Sequence, residues 1–205
     1  MGKYLIAITG ASGSVYGLRT MGALAAGGHE VHAIVSPWGD HVIHEETGRP
    51  FSSWIKELGL CRDRVYAPGD LAAGPSSGSF ALDGMVIVPC SMNSAGSIAS
   101  GIAGNLIHRC ALVSLKEGRP LILVPRETPL SLLDLRKLTS LAEAGAVILP
   151  ASPAFYQKPQ DIDGLVDFIA GKILSRLGLE QRLFEAWGSP LKNSPWGSEA
   201  ARGQP

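Results

Sequence analysis

Leu121-Ile122-Leu123-Val124-Pro125-Arg126-Glu127-Thr128-Pro129 carries the most structural information in this chain. Its opening apolar run has no alternating polar residue, which is what a strand buried on both faces requires. Proline cannot donate to a sheet ladder, so Pro125 marks the end of that strand. A guanidinium and a carboxylate follow, and Pro129 suits the first turn of a helix. In an open α/β sheet the ligand crevice lies outside the carboxyl ends of the strands. A cation beside an acid at that point reads as a clamp for phosphate or carboxylate, with a proton donor or acceptor next to it.

Similar runs recur on both sides. Tyr4-Leu5-Ile6-Ala7-Ile8, Val31-His32-Ala33-Ile34-Val35, Met85-Val86-Ile87-Val88 and Ala146-Val147-Ile148-Leu149 read as further strands. Helical patterns fall between and after them, near residues 15–26, 38–47, 95–100, 106–116, 130–144 and 162–177. Strands alternating with helices predict an α/β three-layer sandwich with a mainly parallel sheet. Residues 67–79, rich in Gly, Pro and Ser, break the rhythm and read as a lid, a binding loop or a disordered segment. A single domain over 1–188 is expected, with a tail over 189–205 that is flexible or packs on a neighbouring subunit.

Composition narrows the function classes. The chain has 205 residues, with 18 basic and 18 acidic side chains, so nothing points to nucleic acid or an anionic membrane surface. Cys61, Cys90 and Cys110 are odd in number and lack metal-site spacing, which favours a reducing compartment. No apolar stretch approaches the roughly 20 residues of a membrane span. The expectation is a soluble, cytoplasmic protein.

The turn Thr9-Gly10-Ala11-Ser12-Gly13-Ser14-Val15-Tyr16-Gly17 joins the first strand to the first helix. Glycines permit a tight turn, and a helix N-terminus offers N–H groups and positive dipole to an anion. The spacing is not the dinucleotide G-x-G-x-x-G, and the second strand ends in Ser36-Pro37 rather than in an acid that grips ribose hydroxyls. No tyrosine has a lysine four residues on, which argues against a short-chain dehydrogenase. A mononucleotide such as FMN fits better than a nicotinamide. The third strand exits into Pro89-Cys90-Ser91-Met92-Asn93-Ser94, small polar residues that cap a helix and also suit a phosphate or flavin edge. Gly10-Ala11-Ser12-Gly13-Ser14 lacks the last glycine of a serine-hydrolase elbow. His41 and His44 share a helical face with no evident third metal ligand, so a surface pair is expected.

These turns, together with Asn105-Leu106-Ile107, Arg109, Leu115-Lys116-Glu117, Gly145-Ala146-Val147-Ile148-Leu149-Pro150, Pro153-Ala154-Phe155-Tyr156 and Pro159-Gln160, resemble the flavin prenyltransferase (UbiX) family. That family belongs to the homo-oligomeric flavoprotein superfamily of cysteine-decarboxylase-like proteins. The ordered match spans residues 4–188. It implies a Rossmann-like, flavodoxin-like fold and metal-independent transfer of a dimethylallyl group from dimethylallyl monophosphate to N5 and C6 of reduced FMN. The prenylated FMN then serves a UbiD-type decarboxylase, and the enzyme is expected to be a homododecamer with active sites between subunits.

The resemblance also distributes roles. Gly10, Ala11, Ser12, Ser36, Ser91, Met92, Asn93, Ser94, Arg109 and Arg126 would hold FMN. Lys116, Arg126, Tyr156 and Lys172 would surround the donor phosphate, with Trp187 walling the prenyl pocket. Glu127 would be the acid/base group, with Ser12, Glu46 and Lys116 in the catalytic set. Two departures stand out. Lys172 replaces an arginine common in the family, keeping the charge and losing the bidentate fork. Leu71 replaces a loop tryptophan, which removes an aromatic face able to stabilise an allylic cation. The choice between a monophosphate and a diphosphate donor stays open. Competing readings are an FMN-dependent cysteine or aromatic acid decarboxylase, whose expected Pro-x-Met-Asn-x-x-Met clamp is absent here, and a non-catalytic FMN-binding protein, which leaves a second, charged subsite of Lys116, Glu127 and Lys172 unexplained.

Overall fold

A computed structural model describes residues 1–185 and builds the molecule around six parallel strands. They are β1 (Lys3–Ile8), β2 (Glu30–Val35), β3 (Val65–Tyr66), β4 (Gly84–Cys90), β5 (Leu121–Pro125) and β6 (Val147–Ile148), in the order β3-β2-β1-β4-β5-β6. The helices are α1 (Ser14–Ala26), α2 (Pro37–Thr47), α3 (Phe51–Glu57), α4 (Met92–Ala99), α5 (Leu106–Lys116), α6 (Leu132–Glu143) and α7 (Ile162–Arg176). The expected three-layer α/β architecture is present. None of the described helices is long and apolar enough to cross a membrane.

The central strands feed two separate cores. Ile6, Ile8, Val86, Val88, Ile122 and Val124 point to the side carrying α1, α3 and α7. Leu5, Ala7, Met85, Ile87, Leu121 and Leu123 point to the side carrying α4, α5 and α6. This two-sided demand is why β1, β4 and β5 read as unbroken apolar runs. Each buried Leu or Ile side chain contributes roughly 1.5–3 kcal/mol, so the sheet centre is a rigid base for whatever its edge carries.

The order reverses between β1 and β4, since β1 leads outward to β2 and β4 leads the other way to β5. Ligand crevices form at such a switch point. β4 runs on to Cys90 and α4 starts at Met92 rather than near residue 95, and three other details differ from the sequence reading. Pro129 lies before α6 rather than in its first turn, because Ser131 and Asp134 form a reciprocal capping box that starts the helix at Leu132. The short elements α3 and β3 were not expected, being too brief to show a period. Residues 67–79 are strapped along α5 and not poised as a lid. Leu106 N–H donates to Pro68 O, Cys110 Sγ–H to Pro75 O, Arg109 Nε–H to Ser76 O, and Arg119 to Gly78 O and Phe80 O. Trp187 and the 189–205 tail lie outside the described residues.

Candidate active site at the sheet switch point

The exits of β1 and β4 are laced together. Thr9 Oγ1 donates to Pro89 O at 2.8 Å and accepts from Ser91 N–H at 2.7 Å. Ser91 then caps α4, its Oγ accepting from Ser94 N–H at 3.3 Å. Asn93 is exposed at this edge, whereas the Met92 side chain is only 8% exposed and belongs to the core. Met92 therefore offers the crevice its backbone. Ser36 caps α2 by accepting from Gly39 N–H at 2.9 Å.

Gly10 leaves no room for a side chain: a Cβ there would stand 2.6 Å from Trp38 Cβ. The glycine is thus explained by Trp38, whose indole is 71% exposed beside the crevice and meets His41 edge-on. The sequence marks Trp38 only as a helix start and not as a site residue, because an aromatic one residue past a helix start has no period to reveal it.

Glu46 closes the glycine turn. Its carboxylate accepts from Ser12 Oγ (2.8 Å), Gly13 N–H (2.7 Å), Ser14 N–H (2.8 Å) and Ser14 Oγ (2.6 Å). Gly13 has no side chain to cap α1, so Glu46 supplies the missing acceptor from α2. Burial pushes this carboxyl up, and the hydrogen bonds from Ser14, Gly13 and Ser12 outweigh it, so the group sits below the usual carboxylate range. The expected free N–H groups at this helix start are therefore occupied, at Gly13 and Ser14, by an internal anion.

Arg126 links the two halves. Its Nε–H donates to Ser12 O at 3.2 Å, which places the guanidinium beside the glycine turn. Burial raises the pKa of the Tyr16 hydroxyl, Arg126 opposes the rise and Glu46 adds to it. Glu127 is exposed next door and lines a recess of ≈ 150 Å³ with Pro125, Arg126, Thr128, Leu130, Leu138, Pro150, Ala151 and Ser152. That is well below the ~300–1,000 Å³ of a drug-sized ligand site, so the recess suits a small group only.

The remaining cations are not gathered here. Lys116 ends α5 and pairs with Glu117 at 3.2 Å. Its neighbour Pro120 accepts from Met85 N–H at the start of β4, which puts Lys116 at the amino end of the sheet, opposite the crevice. Lys172 is exposed ten positions into α7, about 15 Å from the helix start at 1.5 Å per residue. Tyr156 packs edge-on against Phe168 of the same helix, with ring centres 6.0 Å apart, and Phe168 and Lys172 share a helix face. Arg109 binds the strap at Ser76.

The pattern of the Flavoprotein family matches residues 2–174. The flavin prenyltransferase UbiX of Pseudomonas aeruginosa is 42% identical over 196 residues, covering 91% of this chain and 94% of that one. This chain belongs to the flavin prenyltransferase UbiX family. Solved structures of UbiX and UbiX-like proteins share its fold. AnUbiX (PadA1), determined in complex with FMN and dimethylallyl pyrophosphate, superposes with a TM-score of 0.88 at 41% identity, over 93% of this chain and 99% of that chain. A dodecameric FMN-dependent UbiX-like decarboxylase from Escherichia coli O157:H7 gives a TM-score of 0.82 at 38% identity, over 87% and 96%.

For a flavin prenyltransferase, the switch-point crevice is the expected place for FMN. One subunit brings together Gly10, Ala11, Ser12, Ser36, Ser91, Met92, Asn93, Ser94, Arg126 and Glu127, with Glu46 behind them. It does not bring Lys116 or Lys172 to that edge.

Proposed function

We propose that this chain transfers a dimethylallyl group from dimethylallyl phosphate to N5 and C6 of reduced FMN. The observation that carries the reading is the Arg126–Ser12 hydrogen bond, which couples a charged pair at the β5 exit to a hydroxyl-rich crevice in a chain of this family. The donor set fits FMN. Gly10 and Ala11 add little bulk, Ser12, Ser36 and Asn93 offer polar groups, and Arg126 brings a fixed cation. Reduced FMN, when bound, supplies the nucleophilic ring atoms.

The protein's own residues supply the rest. Arg126 neutralises charge that grows on the departing phosphate, most effectively in a site closed to water. Glu127 moves a proton between the leaving group and the ring. Glu46 holds the Ser12 hydroxyl and the glycine turn in place. Tyr156, Lys116 and Lys172 complete the phosphate clamp from neighbouring subunits, with Trp187 as a wall of the prenyl pocket. Two findings support assembly: the distance of these cations from their own crevice, and the exposed leucines Leu130, Leu132, Leu133 and Leu135 beside Glu127. The similarity to a dodecameric relative makes a dodecamer our reading of the assembly. We place the protein in the cytoplasm, with a UbiD-type decarboxylase as the recipient of its product and the monophosphate as its donor. Anaerobic incubation with reduced FMN and dimethylallyl monophosphate is expected to yield flavin heavier by one prenyl group in mass spectrometry. Unmodified FMN alone would reject the reading.

A further inference from the structure

His108 lies on α5, 5% exposed, behind the serines of the β4 exit. Its backbone N–H donates to Asn105 Oδ1 at 3.0 Å, which fixes the amide with its NH₂ group turned to the imidazole, 3.5 Å from Nε2. Ser94 Oγ lies 3.3 Å from the same Nε2. An amide NH₂ only donates, so Nε2 is the unprotonated nitrogen and Nδ1 carries the proton. Burial pushes the imidazole below its ordinary pKa, in keeping with a neutral ring. Nδ1 is buried and has no hydrogen-bond partner among the described residues. An unmet buried donor costs roughly 1–3 kcal/mol, so stability does not account for a histidine here.

The proton on each hydroxyl can then be traced. Ser94 Oγ donates to His108 Nε2. Ser91 Oγ donates to Ser94 Oγ at 3.3 Å, and Thr9 Oγ1 donates to Pro89 O. All three hydroxyl protons are committed inside the protein, so half-buried Ser91 presents only lone pairs to the crevice, with the buried Ser94 hydroxyl holding it from behind. We infer that His108 is a positioning residue that acts through Ser94 to make the β4-exit hydroxyls hydrogen-bond acceptors for an N–H or O–H group of the bound flavin. A phosphate or carbonyl oxygen is repelled from that spot, which settles the flavin's orientation against the serine pair. The inference rests on the FMN reading above.

The test is a double-mutant cycle on FMN affinity, measured by fluorescence titration of the assembled full chain. His108→Leu is expected to raise the dissociation constant about tenfold alone, and by less than about twofold when Ser94 is already Ala, because the path ends at that hydroxyl. His108→Gln, whose amide oxygen reaches the Nε2 position, is expected to stay within about threefold of the unmodified chain. His108→Asn is too short to reach Ser94; it should repeat the loss and serves if the Leu variant does not fold. Equal losses in both Ser94 backgrounds, or a Gln variant as weak as Leu, overturn the inference and leave FMN binding intact. Failure of the unmodified chain to bind FMN overturns the flavin reading itself, and this inference with it.

Discussion

At the exits of β1 and β4 the side chains are tied to one another, whereas beyond β5, at the last residue of α5 and late in α7 the charged side chains stand exposed. Thr9, Ser91, Ser94 and His108 form one hydrogen-bonded path running from half-buried Ser91 to buried His108, and Glu46 fastens the glycine turn beside it. Glu127, Lys116 and Lys172 are all exposed, and the two lysines lie away from the crevice. The difference teaches that one subunit can preorganise a flavin pocket by itself. It does not by itself bring Lys116 or Lys172 to that crevice. On the function proposed above, flavin binding would be a property of the fold and transfer a property of the assembly.

Variants on each side should separate these properties. The largest effect is expected from Glu127→Gln, which keeps the shape and removes the titrating proton. Turnover should fall about 10²–10⁴-fold while FMN affinity stays unchanged. An unchanged rate would remove Glu127 from the chemistry. On the flavin side, Thr9→Val deletes both side-chain bonds that Thr9 makes to the β4 exit and strands the Ser91 N–H. A loss of about 1–3 kcal/mol is expected, lowering Tm by about 2–4 °C per kcal/mol and weakening FMN binding with it.

Glu46 gives a pH-dependent test of the same half. Its carboxyl is held below the usual range, so its contribution is complete above the ordinary carboxylate pKa of about 4.3 and is lost as the pH falls through the lower folded value. Glu46→Gln should cost about 0.5–2 kcal/mol at pH 7, a typical helix-cap loss, and flatten the acid limb of a stability–pH profile. The smallest effect is expected at the donor clamp. Lys172→Arg restores a bidentate fork and should lower the KM for dimethylallyl phosphate several-fold, or about 1 kcal/mol, without altering FMN affinity.

The two regions also differed in how much of them was legible in the sequence. β1, β4 and β5 were readable because burial on both faces writes an unbroken apolar run. The turns after them were readable because Gly and Ser at a strand exit have few other uses. α5 was placed over residues 106–116 from its apolar pattern, and the structure gives Leu106–Lys116. Hidden from that reading was everything that depends on which long-range partner a polar group finds. Glu46 read as an active-site acid, and its four hydrogen bonds to the first turn of α1 appear only when α2 is laid beside it. Nothing in the sequence around His108 singles it out, since its partners Asn105 and Ser94 meet it only in the fold. Lys116 carried no sign that it ends at the far side of the sheet. Pro129 fitted a helix start by type, and the stronger Ser131–Asp134 box set that start three residues later, at Leu132.

The division of labour between fold and assembly is tested most directly by mixing two inactive variants, Glu127→Gln and Lys116→Ala, under conditions that exchange subunits. Each alone should bind FMN and form little prenylated flavin. If Lys116 of one subunit serves the crevice of another, random mixing leaves about one quarter of the sites with both residues intact, and activity returns in that proportion. A mixture as inactive as its parents, with subunit exchange verified, would contradict a shared site.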